Sequence, residues 1–515
     1  MLAYRKACPA SPSAGTLSRI SRAKRPIEMM IGRHRFHGDL ILRFAAEAMS
    51  KGSALVMAFL LARWLAADGF GAYAQTQAMV AILVPVVLLG LGFALIRQIA
   101  GASGASEISA PVFTAFTITS GLTIPAAIVM WLLADGIAVH FSDHPSATML
   151  VRMGAVLLPA AAWQSLLFEA LRARHRVRSA TTLQIGEAAL SLLAMILLFL
   201  ADRLDPVTAL TAIAALKLLV VLLAATDFAR SQDVWADGFR FLPASGLRAA
   251  LALGIPFMFA SLGEASMGLI DRVLVGSLAG ADMAGRYVAA QTLVALLASW
   301  GAPYWWLLYP RMARAIARGS SRGAMAVTHR LFGNFIIWGT PLAVILALLG
   351  SQILTLAVGE AFQVSSTTIG LLVLAAFVNQ AATPWEYFLY IMGKAMFLMW
   401  VSLAWGVVAI IGIVVLLPEF GLLGTAASVA GTRIGFALSL IYATGRQGLG
   451  PGLLPPQVTA RVAAALATGI GVAIAIRLTA SPTGAATWQL AASFLGAYLL
   501  MSLLASRFQA RRRTT

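Results

Sequence analysis

Glu187, Lys217, Glu264, Asp271, Arg272, Glu386 and Arg433 all lie inside apolar runs of the length that crosses a bilayer. An ionisable side chain at mid-membrane costs at least about 2.5 kcal/mol on insertion scales, so each needs a partner or a wet cavity. The two signs do different chemistry there. A cation in a low dielectric compensates a phosphate, which makes Lys217 and Arg433 the leading candidates for holding an anionic head group, with Arg63 and Arg272 nearer their span ends. Removal from water favours the protonated form of a carboxyl, so a deep acid can bind and release a proton. Glu264 is therefore the leading candidate for sensing H+ or Na+, followed by Asp271, Glu187 and Glu386.

Plainer readings stand beside these. Glu187 and Lys217 fall at similar depth on successive spans, where they either neutralise each other or line a cavity wall. Glu264 is open to pairing with Arg286 or Arg433, and Arg63 to snorkelling toward the interface. Glu47 and Lys51 have the spacing and order of a helical ion pair. Arg433 sits between Gly431 and Gly435, and Glu386 follows Pro384, where a kink is predicted. Tyr304, Trp305, Trp306 and Tyr309 read most simply as an interfacial belt, with stacking against a substrate as the alternative.

No enzyme signature accompanies these groups. Gly-x-x-x-x-Gly-Lys-Ser/Thr, His-Glu-x-x-His and Gly-x-Ser-x-Gly are all absent, the six histidines lie in tails, loops or span edges, and Cys8 is the lone cysteine. The chain reads as a non-enzyme without cofactor or metal, and nothing in it supplies ATP as an energy source.

The elements that must position these charges are helices. With 60% hydrophobic and 11% charged residues, the composition excludes a soluble globule, whose charged fraction is about 25%. Apolar runs of about twenty residues exclude a membrane barrel, which would alternate over about ten. The fold class is all-α, with about fourteen transmembrane helices. The net charge of +18 resides in short stretches between spans, such as Arg172, Arg174, Arg176 and Arg178, so positive-inside sorting explains it and nucleic acid is not a partner. Arg-rich loops then place both termini in the cytoplasm. The longest connection on the other side, around Asp135 to Ser146, is too short for a catalytic domain.

A repeat divides the chain. Asp68, Gly71, Tyr73, Gln77, Val80, Ala81 and Leu83 recur 214 residues later as Asp282, Gly285, Tyr287, Gln291, Val294, Ala295 and Leu297, with both aspartates placed like helix N-caps. Six spans separate the copies, so the halves enter the membrane in the same direction, as parallel repeats about an axis along the membrane normal. The expected organisation is a basic cytoplasmic tail (1–40), a six-helix lobe (41–228), a cytoplasmic linker (229–247), a second six-helix lobe (248–445), and two further helices with a basic tail (446–515). Met29 or Met30 is an alternative start. Two facing lobes are the geometry of alternating access.

The first span running through Arg63-Trp64 into Ala66-Ala67-Asp68-Gly69-Phe70-Gly71, then Leu89-Gly-Leu-Gly92 and Arg97, and the later Asp271-Arg272-Val-Leu-Val-Gly276 leading to Gly285-Arg-Tyr287, resemble the polysaccharide-transporter branch of the multidrug/oligosaccharidyl-lipid/polysaccharide exporter superfamily, which includes the O-antigen (Wzx-type) flippases. The resemblance implies a flippase in the bacterial inner membrane. Its cargo would be an undecaprenyl-pyrophosphate-linked oligosaccharide, moved from the cytoplasmic to the periplasmic leaflet for polysaccharide synthesis. It also implies membrane lipids, H+ or Na+, and a polysaccharide polymerase with its assembly proteins as partners. A drug/cation antiporter of the same superfamily usually has twelve spans and a carboxylate-dominated cavity; a membrane polymerase or ligase needs a sizeable periplasmic loop. A scaffold for an assembly complex is the third alternative.

Overall fold

The computed structural model describes residues 25–99, 105–174, 176–232, 240–317 and 321–446, with the backbone alone for 25–51. The two C-terminal spans, the first 24 residues with Cys8, residues 233–239 of the expected linker, and the side chains of Glu47, Lys51, Arg97 and Trp306 lie outside this description. The chain divides into two compact units, residues 1–49 and 50–515. The first contributes the opening turns of helix from Arg25 on. The second holds everything that follows.

Every described element is helical. The first half comprises α1 (Arg25–Leu88), α2 (Leu91–Ile99), α3 (Ala105–Leu132), α4 (Ala134–Phe141), α5 (Ala147–Ala173), α6 (Val177–Leu200) and α7 (Pro206–Gln232). The second comprises α8 (Ala244–Ser266), α9 (Ile270–Ala279), α10 (Ala281–Ala317), α11 (Ser321–Val358), a 3₁₀ turn at Glu360–Phe362, α12 (Ser366–Ile391) and α13 (Ala395–Gly445). Among the described residues, nine helices are long and apolar enough to cross a membrane. Two of the nine are divided internally, α1 by a non-helical Ala66 and α13 by Gly421. At Gly421 the chain doubles back: Ser428 donates to the Ala409 carbonyl at 3.2 Å and Trp405 Nε1 to Ser439 Oγ at 3.0 Å. Nineteen residues of straight helix would separate the first pair by about 28 Å. The connection around Asp135 to Ser146 proves to be largely the helix α4.

The repeat is visible in the backbone. Ala66 (φ 58°, ψ 179°) and Gly280 (φ 92°, ψ 163°) break their spans in nearly the same conformation, 214 residues apart. Glycine adopts it freely, whereas alanine bears roughly 1–3 kcal/mol of strain, so the first copy holds a turn for which its sequence is not ideal. The expected N-cap role of the aspartates is corrected here. Asp282 lies inside the first turn of α10, paired with Arg286 at 2.8 Å, and Asp68 stands 4.0 Å from His144. The group that caps α10 comes from elsewhere: Asp143, after α4, accepts from the Ala281 N–H at 2.8 Å.

The two copies meet each other. A Cβ added at Gly71 would fall 1.8 Å from the Ala281 carbonyl oxygen, and one at Gly285 would fall 1.9 Å from that of Ala67. Residues 71 and 285 are equivalent in the repeat, as are 67 and 281, so one contact is made twice, backbone on backbone. Only small residues permit such an approach, and in a bilayer close packing rather than hydrophobicity drives helix association. Gln75 extends the seam: buried, it donates to the Phe141 carbonyl and, at 3.2 Å, to that of Val273 in α9, lying against Gly276. Further along the bundle, Phe93 of α2 stacks on Phe257 of α8, with centroids 4.8 Å apart.

Candidate functional site

The sequence candidates gather into two clusters, one from the first half of the chain and one from the second. In the first, α5, α6 and α7 bring Gln164, Glu187 and Lys217 together. Lys217 Nζ lies 2.7 Å from Glu187 Oε1 and donates to Gln164 Oε1 at 2.8 Å, while the Gln164 amide donates to the other Glu187 oxygen. Cation, anion and amide close a ring with no net charge and few donors left over. Removing one partner of such a pair leaves an uncompensated charge, at about 3–5 kcal/mol, whereas removing both together is close to neutral. Lys217→Ala should therefore lower the yield and melting temperature of the purified protein, and Lys217→Met with Glu187→Gln should restore them. If Lys217→Ala melts like the wild type yet abolishes transport, Lys217 serves a ligand rather than Glu187.

The second cluster is built around a break in the seventh span. The chain leaves helix at Met267–Leu269, between α8 and α9, and Glu264 and Asp271 stand on either side. Asp271 is fully buried and well supplied with donors: Tyr287 Oη at 2.8 Å, Gln291 Nε2 at 2.6 Å and the Arg272 N–H at 2.9 Å. Arg272 Nε donates in turn to Gln291 Oε1 at 2.7 Å. Tyr287 and Gln291 are repeat residues. In the first copy Gln77 donates directly to Tyr73 Oη at 2.5 Å, because Met57 stands where the second copy has Asp271. The second copy thus carries an acid on a polar pair common to both copies.

Glu264, Glu386 and Arg433 come from α8, α12 and α13. The carboxyl groups of Glu264 and Glu386 stand within electrostatic reach of each other. Arg433 donates to Asn379 Oδ1 at 2.9 Å and lies within electrostatic reach of Glu264, Glu386 and Asp271, with Gly268 leaving room for its other nitrogen. Glu264 is exposed, whereas Glu386 is partly buried. Of the two arginines considered for Glu264, Arg286 is taken by Asp282 and Arg433 is the neighbour.

Other expectations change in detail. α12 runs as helix from Ser366 to Ile391 with Pro384 inside it. Trp305 is no interfacial residue: it is buried, packs on Phe332 and Phe335, and donates to Gln380 Oε1 at 2.8 Å, which ties α10 to α12. Arg63 is exposed near the Ala66 break. The partners that charge-based reasoning missed are neutral: Gln75, Gln164, Gln291, Asn379 and Gln380. An amide in an apolar span carries its own desolvation cost, and that signal would have found them. Among the described residues no group of three or more His, Cys, Asp or Glu is arranged to hold a metal.

Residues 39–316 match the profile of a family described as polysaccharide biosynthesis protein. No curated protein matches in sequence. Among solved structures, the chain resembles the lipid II flippase MurJ in an inward closed conformation, with a TM-score of 0.66 and 12% identity over 91% of this chain and 99% of that one. It also resembles an inward-facing multidrug resistance MATE family transporter of the MOP superfamily, with a TM-score of 0.62 and 14% identity over 80% and 98%. A MOP superfamily transporter from Pyrococcus furiosus aligns with a TM-score of 0.56 and 13% identity over 80% and 95%. At these identities the likeness is one of fold.

Proposed function

Because the chain belongs to the polysaccharide biosynthesis protein family, we propose that it flips a lipid-linked oligosaccharide, carried on undecaprenyl pyrophosphate, across the bacterial inner membrane by drawing on a proton or sodium gradient. The observation that carries this reading is the Glu264–Glu386 pair beside Arg433, an ionisable cluster gathered from α8, α12 and α13. Arg433 and Arg272 offer the pyrophosphate its counter-charge. The carboxyl pair offers the coupling site.

On this reading the pair holds one proton, whose release leaves two anions facing one arginine, and like charges drive α8 and α12 apart. The strain passes to α9, which follows α8 directly and carries the Val273 and Gly276 contacts with Gln75 of the other lobe. Proton release thereby loosens the seam between lobes, and proton binding closes it, since a ligand shifts an equilibrium through its differential affinity for the two states. We take the Arg-rich loops to be cytoplasmic, and on that orientation the seam between the copies would lie at the periplasmic end.

The test uses proteoliposomes carrying the full chain and an undecaprenyl-pyrophosphate-linked oligosaccharide, with flipping followed under an imposed pH or sodium gradient. Wild type should respond to one of the gradients and Glu264→Gln should not. A wild-type rate indifferent to both, or a Gln variant with full dependence, removes Glu264 from coupling. The carboxyl pair also favours a second reading, exchange of a lipophilic cation for protons, and uptake of such a cation by the same vesicles without any flipping would select it.

A further inference from the structure

A flippase for a glycolipid must hold its sugar as well as its phosphate, and the second lobe offers groups suited to that beside the carboxyl pair. Tyr309 of α10 meets Tyr387 of α12 edge-on, with ring centroids 5.2 Å apart at 81°. Both of these tyrosines, and Tyr390 one turn along α12, lie within electrostatic reach of one another, and Tyr387 and Tyr390 of Glu264 and Glu386. Tyr309 keeps 44% of its surface exposed, so its ring is available to a ligand.

The rings are held from behind. Trp385 meets Phe332 edge-on at 5.3 Å, Phe335 packs between Trp305 and Phe377, and the Trp305–Gln380 hydrogen bond fixes the helix carrying Tyr309 against the one carrying Tyr387 and Tyr390. A rigid aromatic surface binds at low conformational cost, because the entropy of ordering it has already been lost in folding.

A pyranose has an apolar face of C–H groups and a rim of hydroxyls. The tyrosine rings suit the face and the carboxyl and amide groups of Glu264, Glu386 and Asn379 suit the rim, where sugar hydroxyls donate to carboxyl oxygens. The sign of the charge adds selectivity. Two carboxyls at the rim disfavour an acidic sugar, since like charges in a low dielectric repel.

We propose that Tyr309, Tyr387 and Tyr390, with Glu264 and Glu386, form the saccharide subsite of this transporter and select a neutral pyranose over an acidic one. The inference rests on the lipid-linked cargo proposed above and deepens it.

Three lipids separate the possibilities: undecaprenyl pyrophosphate bearing a neutral disaccharide, the same lipid bearing a disaccharide that ends in a uronic acid, and the lipid without sugar. Binding to the full chain in nanodiscs is measured for wild type, Tyr309→Leu, Tyr387→Leu and the corresponding Phe variants. Wild type should bind the neutral glycolipid about tenfold more tightly than the sugar-free lipid, equivalent to about 1.4 kcal/mol, and the acidic one no better than the sugar-free lipid. Both Leu variants should lose the preference while keeping the sugar-free affinity, and both Phe variants should retain it. Equal affinity of wild type for the three lipids, preference for the acidic sugar, retained preference in the Leu variants, or a uniform loss of all three by those variants would each overturn the subsite. If wild type binds none of the lipids, the cargo reading itself fails and the subsite falls with it; if it binds the sugar-free lipid without discrimination, the subsite alone fails.

Discussion

Gly285→Val is expected to abolish transport while leaving a folded, membrane-inserted protein. A Cβ at this position would lie 1.9 Å from the Ala67 carbonyl oxygen, an overlap of backbone with side chain that no rotamer relieves, so the helices must part. Overpacking of this kind costs about 1–3 kcal/mol where neighbours can yield, and more where they are backbone. A penalty of about 4 kcal/mol disfavours the sealed arrangement roughly a thousandfold. The damage falls between lobes rather than within either, so each lobe should keep its own packing. The check is maleimide labelling of a cysteine placed at Ala67, which is 4% exposed, in a protein whose single native Cys8 has been replaced by Ser. The labelling rate should rise at least about tenfold, since a buried thiol reacts only on opening. Gly71→Val should behave alike. Unchanged labelling together with wild-type flipping by either variant would mean that the seal does not govern transport.

The second large effect is expected at Arg433. Arg433→Ala withdraws the cation nearest the Glu264–Glu386 pair and leaves Asn379 Oδ1 without its donor, so both stability and transport should fall, the former by about 3–5 kcal/mol. Two companion variants divide these roles. Arg433→Ala combined with Glu264→Gln should recover the melting temperature, because removing one carboxylate together with the guanidinium returns the cluster to its wild-type formal charge, yet stay inactive if the guanidinium also holds the pyrophosphate. Arg433→Lys should keep part of the activity, since an ammonium supplies the charge but not the planar pair of donors. Wild-type melting and flipping by Arg433→Ala would exclude both functions.

How far the sequence reaches can be followed residue by residue. The apolar runs foretold helices, because span length is imposed by the bilayer itself, and the recurrence of Asp68 to Leu83 at 282–297 has its counterpart in the backbone breaks at Ala66 and Gly280. The Lys217–Glu187 pairing was legible too, since two opposite charges at matching depth have few alternatives to each other. The Glu264–Glu386 contact was not, because 121 residues separate the two acids and only the packing of α8, α12 and α13 decides which face of each span looks inward. For the same reason Trp305 was read as a belt residue. Hydropathy reports depth in the membrane, not direction, and a buried tryptophan and a lipid-facing one have the same depth.

The contact between the copies has a historical meaning. Residue 71 touches 281 as 285 touches 67, which is the pattern of an isologous interface in a two-fold dimer, where each surface patch meets its own counterpart. Fusing the two subunits of such a dimer into one chain preserves the contact and frees the halves to diverge. Asp143 marks where they did: its carboxylate caps α10 of the opposite lobe, while the residue 214 positions further on is Ala357, with no carboxylate to return the favour. Asp271 against Met57 marks a second departure, on the same lobe that holds the ionisable cluster. Asp143 and Asp271 thus break, each in its own half, a symmetry that the glycine contacts keep, which a symmetric assembly of identical subunits could not do.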